Sequence, residues 1–204
     1  MTTLFRPTGL DELSLIWDSG MREFPPRLPH QPIFYPVTNV EYATQIARDW
    51  NTKDGSFAGF VTEFEVDDSY MAAFQPHIAG SSLHSEYWIP AEQIRDFNAA
   101  LQGTIRVHSA YFGPGFRGFV PDQGLLKGKD AFAQFTTIAE LLRSNKEAFA
   151  EEVTRNHKAI YLNFMFWSQF DCAALKLDQK QRLELLGGIR QAWESSHSTI
   201  RLPE

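Results

Sequence analysis

The stretch that decides the fold is His84-Ser85-Glu86-Tyr87-Trp88-Ile89-Pro90-Ala91-Glu92. A short apolar run follows Glu86 and stops at a proline, which predicts a strand with Glu86 at its exposed end and residues 87–89 anchored behind it. Pro90 suits the first turn of a helix, predicted over residues 91–100, where Glu92 favours the helix dipole. Such a strand can place a catalytic carboxylate at a cleft, but a lone Glu is more often solvated.

Strands and short helices alternate in the first part of the chain. Apolar patterning predicts strands over residues 4–7, 33–37, 57–66 and 104–112, and helices ending near Asp18 and spanning 40–50. Asn39 is expected to cap the second of these helices, with Trp50 on its apolar stripe. The pair Asp67-Asp68 is expected to cap a further short helix.

Composition changes after a group of glycines and prolines, Gly113 to Pro121. Helical periodicity then predicts helices over residues 131–143, 146–170 and 178–193, the middle one either continuous or broken. No repeat, P-loop or glycine-rich dinucleotide turn is found. The predicted fold class is therefore α+β, with an α+β domain over residues 1–120 and a helical domain over residues 121–204.

Composition and charge narrow the class of protein. The chain has 204 residues, of which 43% are hydrophobic and 14% aromatic, enough for a sizeable core. Residues 1–120 contain 8 Lys/Arg and 14 Asp/Glu, which argues against broad nucleic-acid binding. No leader or membrane span is recognised, and the one cysteine, Cys172, is expected to be a packing thiol. We expect a cytoplasmic protein.

Several kinds of catalytic or metal site find little support. The six histidines form no His-x-x-x-His pair with an intervening Glu, and no Gly-x-Ser-x-Gly nucleophile turn is present. A metal site is therefore not predicted. Three residues with suitable chemistry remain, each at a predicted strand: Arg6, Tyr35 and Glu86. Each also has an ordinary interpretation, as a solvated charge, a packed ring or a surface carboxylate.

Around these three residues the sequence resembles the ADP-ribosyltransferase-like superfamily. The matching pieces are Leu4-Phe5-Arg6 followed by Gly9, Ile33-Phe34-Tyr35 followed by Glu41-Tyr42-Ala43, and Gly80 through Glu92. They are also similar to a group of bacterial proteins that carry a name combining ADP-ribosylation and crystallin J1. The resemblance covers residues 3–113. It implies a split sheet with short helices and a cleft for NAD, used as a substrate.

The resemblance also implies a role for each residue. Glu86 would stabilise the oxocarbenium-like transition state formed when nicotinamide leaves the ribose. Arg6 would contact the phosphates of NAD, Tyr35 would stack on nicotinamide, and His84 would help to hold the ribose. Arginine-modifying members of the superfamily carry Glu or Gln two residues before the catalytic Glu, where this chain has His84. The Ser-Thr-Ser triplet common among members is missing after Tyr35.

Two functions follow as expectations. The first is a glycosyltransferase-type reaction, either NAD-dependent ADP-ribosyl transfer or NAD glycohydrolysis. The alternative is a catalytically inactive ADP-ribosyltransferase-like binding or immunity-type module that acts through protein contacts. In that case the aromatic segment 164–167 of the C-terminal helices is a candidate surface for a protein partner or a homodimer, although the same pattern is typical of an ordinary helical core.

Overall fold

The structure, a computed structural model, describes residues 1–80, 83–171, 178–196 and 199–204. The chain has a mixed α+β fold and divides into two compact units, Met1–Phe116 and Arg117–Glu204. Cys172, expected to be a packing thiol, lies outside the described residues. No helix in the described part of the chain combines the length and the apolar character that a membrane crossing requires.

The strands of the first unit are short except for three. They are β1 (Thr2–Thr8), β2 (Ile33–Phe34), β3 (Ala58–Val66), β4 (His77–Ile78), β5 (Ser85–Glu86), β6 (Ile89–Pro90) and β7 (Leu101–Phe112). The long strands β1, β3 and β7 form an antiparallel sheet with β3 in the middle. Alternation along β1 buries Leu4, Arg6 and Thr8, so the inward face of this strand carries a guanidinium.

The segment 33–38 lies between β1 and the segment 85–90. Phe5 and Val37 exchange two backbone hydrogen bonds of 2.9 and 2.8 Å, and Val37 is bridged in turn to Glu86. Within the same two segments, β2 pairs with β6. The edge of β5 that does not face Val37 pairs with β4. Backbone pairing therefore leads from Arg6 of β1, across the Tyr35 segment, to Glu86.

The strands predicted over residues 33–37 and 86–89 are interrupted in the structure. Pro36 has no N–H to give to the ladder, so its pairing is limited to its carbonyl, which accepts from the Tyr87 N–H at 2.8 Å. Pro90 ends β6 and is also the N-cap of the helical segment that follows, so this segment begins at Ala91, as predicted. A 3₁₀ turn (Ala91–Gln93), which contains Glu92, follows it and leads into the α-helix.

The helices of the first unit are α1 (Leu10–Asp18), α2 (Val40–Ile46), α3 (Asp68–Met71) and α4 (Ile94–Ala99). The predicted caps are confirmed: the Asn39 side chain accepts from the Tyr42 N–H, and that of Asp67 accepts from the Ser69 N–H. The inward position predicted for Trp50 is wrong, since this side chain is 60% exposed. A π-helical turn (Ala47–Asn51) continues α2, and its wider winding shifts the phase of the residues that follow.

The second unit is helical. It contains α5 (Ala131–Ser144), α6 (Lys146–Arg155), α7 (His157–Gln169) and α8 (Gln179–Ser196), so the predicted helix 146–170 is broken at Asn156. The aromatic segment 164–167 is buried throughout: Phe166 packs against Phe132, and the Trp167 indole donates to the Ala131 carbonyl. These side chains form helical core and present no docking surface.

Candidate active site

Glu86 is fixed through both of its carboxylate oxygens. Its Oε1 accepts from the Trp88 indole N–H at 2.8 Å, and its Oε2 lies 3.5 Å from the Tyr42 hydroxyl, which donates to it. The backbone of Glu86 is paired on one side with Val37 and on the other with His77. In the described part of the chain no Lys, Arg or His forms an ion pair with this half-buried carboxylate.

Tyr42 and His84 form a support behind Glu86. Burial, followed by the nearby charge of Glu86, raises the pKa of the Tyr42 hydroxyl, so the phenol remains a proton donor. The His84 ring stacks on that of Tyr42 with centroids 4.4 Å apart. His84 Nδ1 donates to the Ala79 carbonyl at 3.0 Å, and Nε2 lies 3.1 Å from the Gln45 amide oxygen. A contact from His84 to ribose would therefore have to replace one of these bonds.

Tyr35 and Trp88 belong to an exposed aromatic surface beside Glu86. The two rings meet edge to face with centroids 6.1 Å apart, and their side chains are 39% and 47% exposed. His77 stacks on the Trp88 ring at 4.5 Å. We call Tyr35, His77 and Trp88 the aromatic rim. Flat rings of this kind pack against planar ligand groups such as nicotinamide or adenine.

Arg6 lies in the interior of β1 and is almost fully enclosed. Its Nε and Nη2 donate to the two oxygens of Glu12, at 2.7 and 3.1 Å, in a bidentate pair. Nη1 donates to the Tyr35 carbonyl at 3.3 Å, and the guanidinium lies over the Phe34 ring at 4.5 Å. The structure thus brings Arg6 next to the Tyr35 backbone, with most of its donors used inside the protein.

A second guanidinium, that of Arg27, approaches the same carboxylate. Its Nη1 lies 3.8 Å from Oε1 of Glu12, and its Cζ is 5.9 Å from the centroid of Phe34. Arg27 belongs to the proline-rich loop before β2. Two cations and one carboxylate therefore form a partly buried group, the Arg6–Glu12–Arg27 cluster, which carries a net charge of +1.

Three of the four predicted site residues, Arg6, Tyr35 and Glu86, are joined by a path of contacts that passes through Trp88. Arg6 bonds to the Tyr35 backbone, the Tyr35 ring touches Trp88, and Trp88 and Glu86 share a hydrogen bond. Among the described residues, Tyr42 links His84 to Glu86, because the His84 ring stacks on Tyr42 and the Tyr42 hydroxyl donates to Glu86. Sequence reasoning missed Tyr42, Trp88, Glu12 and Arg27. The sequence contained a signal for Trp88, because residues i and i+2 of a strand lie on the same face and Trp88 is two residues after Glu86. The positions of Tyr42, Glu12 and Arg27 at the site depend on tertiary contacts.

This arrangement can stabilise a developing positive charge next to a planar leaving group, since a fixed, uncompensated carboxylate stands beside exposed rings. Within the described residues, no group of three or more His, Cys, Asp or Glu side chains is arranged to hold a metal ion. Neither a known family model, nor a curated protein, nor a solved structure matches this chain.

Proposed function

We propose that the chain is an enzyme of the ADP-ribosyltransferase-like superfamily that cleaves NAD at the bond between nicotinamide and ribose. The observation that carries the proposal is the fixation of Glu86: neutral donors hold both of its oxygens, so its negative charge is oriented but not cancelled. A carboxylate preorganised in this way stabilises charge that develops in a transition state.

The reaction has a simple electron balance. The bond between C1′ of the ribose and the nicotinamide nitrogen breaks, and its electron pair leaves with nicotinamide. The ribose acquires oxocarbenium character, which Glu86 stabilises while accepting a hydrogen bond from the 2′-hydroxyl. A nucleophile then bonds to C1′ and releases its proton. An acceptor side chain gives ADP-ribosyl transfer, and water gives glycohydrolysis.

The order of the elements also supports the superfamily. Arg6, Tyr35 and Glu86 occur in this order on an antiparallel α+β scaffold, and backbone pairing joins their three segments. The aromatic rim provides Tyr35 and Trp88 as surfaces for nicotinamide. The second unit would serve as a helical accessory domain.

A second candidate, a catalytically inactive module of the same superfamily, is favoured by one observation. Glu12 occupies the bidentate fork of Arg6 that the resemblance assigns to the phosphates of NAD. An internal ion pair in this place is expected if the scaffold has been retained for protein contacts and the cofactor site has been closed. The two candidates differ in whether the purified protein binds and consumes NAD.

The deciding experiment measures NAD consumption and nicotinamide release by the wild type and by Glu86→Gln. We expect the substitution to lower kcat about 100- to 1000-fold, as loss of a preorganised transition-state contact does in other enzymes. Glu92→Gln is the matched control, because Glu92 is an exposed carboxylate six residues away. Equal rates for wild type and Glu86→Gln, or no NAD binding in calorimetry, would contradict the proposal.

A further inference from the structure

A groove of about 720 Å³ lies within the second unit, between α6 and α8. Two stripes of small side chains form its walls, because residues four positions apart share a face of a helix. The stripe on α6 contains Ala150 and Thr154, and the stripe on α8 contains Ala192 and Ser196. A volume of this order is typical of sites for small molecules, which span about 300–1,000 Å³.

The floor of the groove is apolar. Leu142 and Phe149 line it from α5 and α6, and Phe149 is buried. Gly188 lets α8 lie against both residues: a Cβ on Gly188 would be 3.3 Å from the Leu142 methyl groups and 3.5 Å from Phe149 Cζ. These three residues offer van der Waals contacts to a ligand but no side-chain donors or acceptors.

The hydroxyl groups on the two walls already donate to their own helices. Thr154 Oγ1 donates to the Ala150 carbonyl at 3.0 Å, and Ser196 Oγ donates to the Ala192 carbonyl at 2.9 Å. A hydroxyl has one proton, so a hydroxyl bonded to the preceding turn has none left to give to a ligand. The part of a ligand that lies between the walls should therefore be apolar.

The charged residues that line the groove are unevenly placed. Lys146 lies at one end, in the first turn of α6, and no ion pair among the described residues includes its ammonium. Glu151 and Arg155 lie four residues apart towards the other end of α6, and Arg155 is also 3.5 Å from a carboxylate oxygen of Glu152. Because a cation in the first turn is unfavourable for the helix dipole, the charge of Lys146 does not stabilise α6.

We propose that this groove binds an aliphatic carboxylate, with its chain between α6 and α8 and its head group at Lys146. Arg155 follows Lys146 by nine residues, so the α6 wall is about 14 Å long, which suits a medium-length chain. The carboxylate complements the unpaired ammonium, and the chain removes the apolar floor from water. All the lining residues belong to the second unit, so occupancy of the groove does not depend on NAD cleavage.

The first measurement is calorimetric titration of the full chain with hexanoate, octanoate and decanoate. Each added CH₂ that is buried should tighten binding about fourfold. Octanol and octyltrimethylammonium carry the octanoate-length chain on a neutral and a cationic head. Octanoate should bind about 2- to 5-fold tighter than octanol, the range of an exposed ion pair, and the cation should bind more weakly than both. Absence of octanoate binding, or equal affinity for the three carboxylates, would overturn the proposal.

Lys146→Met tests the position of the head group. This substitution should abolish the preference for octanoate over octanol and leave the affinity for octanol unchanged, because only the carboxylate meets the ammonium. Lys180→Met is the matched control, since Lys180 is an exposed cation in the first turn of α8 that does not line the groove, and it should retain the preference. The wild-type preference in Lys146→Met would contradict the proposal.

Ala192→Leu and Ala150→Leu test the position of the chain from opposite walls. Each larger side chain should take the place of two or more CH₂ groups of the ligand and weaken octanoate and octanol alike by about tenfold or more. Ala133→Leu is the control, because Ala133 is an exposed alanine of α5 outside the groove. Circular dichroism identifies the variants that are folded. Wild-type affinity in a folded Ala192→Leu or Ala150→Leu variant would reject the site.

Sedimentation velocity distinguishes a small ligand from a second copy of the chain as the occupant. The full chain should sediment as a monomer with and without octanoate. A wild-type dimer that dissociates in Ala192→Leu would assign the groove to a second copy and overturn the proposal.

Discussion

At the scale of single residues, the central feature is the pair of donors that hold Glu86. The Trp88 indole is 2.8 Å from one oxygen and the Tyr42 hydroxyl 3.5 Å from the other. The shorter bond to a charged acceptor should contribute more to its orientation. The two donors come from different elements, a strand neighbour and the first turn of α2, so the carboxylate is oriented from two directions.

This difference in distance predicts a ranking of two conservative variants. Trp88→Phe should lower kcat for NAD consumption by about tenfold, and Tyr42→Phe by less, because hydrogen bonds to charged groups contribute about 1.5–3 kcal/mol when short. KM should change less than kcat in Tyr42→Phe, since the phenol acts through Glu86 and not on the bound substrate. Steady-state kinetics of both variants checks this. A larger loss in Tyr42→Phe would contradict the ranking.

At the scale of elements, the contact of β3 with the π-helical turn depends on Gly59. A Cβ on Gly59 would lie 2.0 Å from the Ala47 carbonyl oxygen, a backbone atom that cannot rotate away. We expect Gly59→Ala to lower the free energy of unfolding by about 1–3 kcal/mol, the usual cost of overpacking. Chemical denaturation followed by circular dichroism measures it.

Gly187→Ala provides the contrasting substitution for Gly59→Ala. Gly187 lies on an exposed position of α8 with nothing within 4 Å of an added Cβ, so alanine should raise stability by up to about 1 kcal/mol through helix propensity. Equal effects of the two substitutions on the free energy of unfolding would contradict the prediction that the close approach of Gly59 to the Ala47 carbonyl makes alanine unfavourable there.

In the second unit, a buried carboxylate of α6 is hydrogen-bonded to the turn Gly124–Leu126. Glu152 is 2% exposed, and its Oε1 accepts from the Leu126 N–H at 3.0 Å and from the Asn156 amide at 2.8 Å. Glu152→Gln should lower the free energy of unfolding by about 1–3 kcal/mol, because the amide is a weaker acceptor in a site that water does not reach. Glu151 is the exposed neighbour of Glu152, so Glu151→Gln is the matched control. It should change the free energy of unfolding by less than about 0.5 kcal/mol in the same denaturation experiment.

At the scale of the whole molecule, buried phenols make the fold sensitive to alkali. Burial raises the pKa of Tyr42 and Tyr70 in the first unit and, most strongly, that of Tyr161 in the second. Each tyrosine keeps its proton in the folded state at a pH where the unfolded chain loses it. Stability is therefore fully present below a pH of about 10 and is lost as the pH rises towards the folded pKa values.

The corresponding experiment measures the free energy of unfolding from neutral pH to above pH about 10. Wild type should lose stability across this range, and Tyr161→Phe should lose less, because it removes the group with the largest shift. The same pH dependence in wild type and Tyr161→Phe would show that repulsion among the excess carboxylates, and not the buried phenol, dominates.

The candidate site was predictable only in part. The interpretation of Glu86, Tyr35 and Arg6 as a group came from a family resemblance, and the structure joins their segments by backbone pairing. What surrounds them did not follow from the sequence. Glu12 accepts hydrogen bonds from the Arg6 guanidinium, and the Tyr42 hydroxyl donates to Glu86. The local sequence pattern around Glu12 or Tyr42 indicates neither partner.

By itself the sequence determined the α+β class, the capped helices after Asn39 and Asp67, and the helical second half, because periodicity and caps depend on residues within about four positions of each other. The tertiary structure alone decided the partners of the charged groups. Tyr42 and Glu86 are 44 residues apart, and Arg27 meets Glu12 from a loop. Such contacts follow from strand pairing and chain closure, which local propensity does not encode.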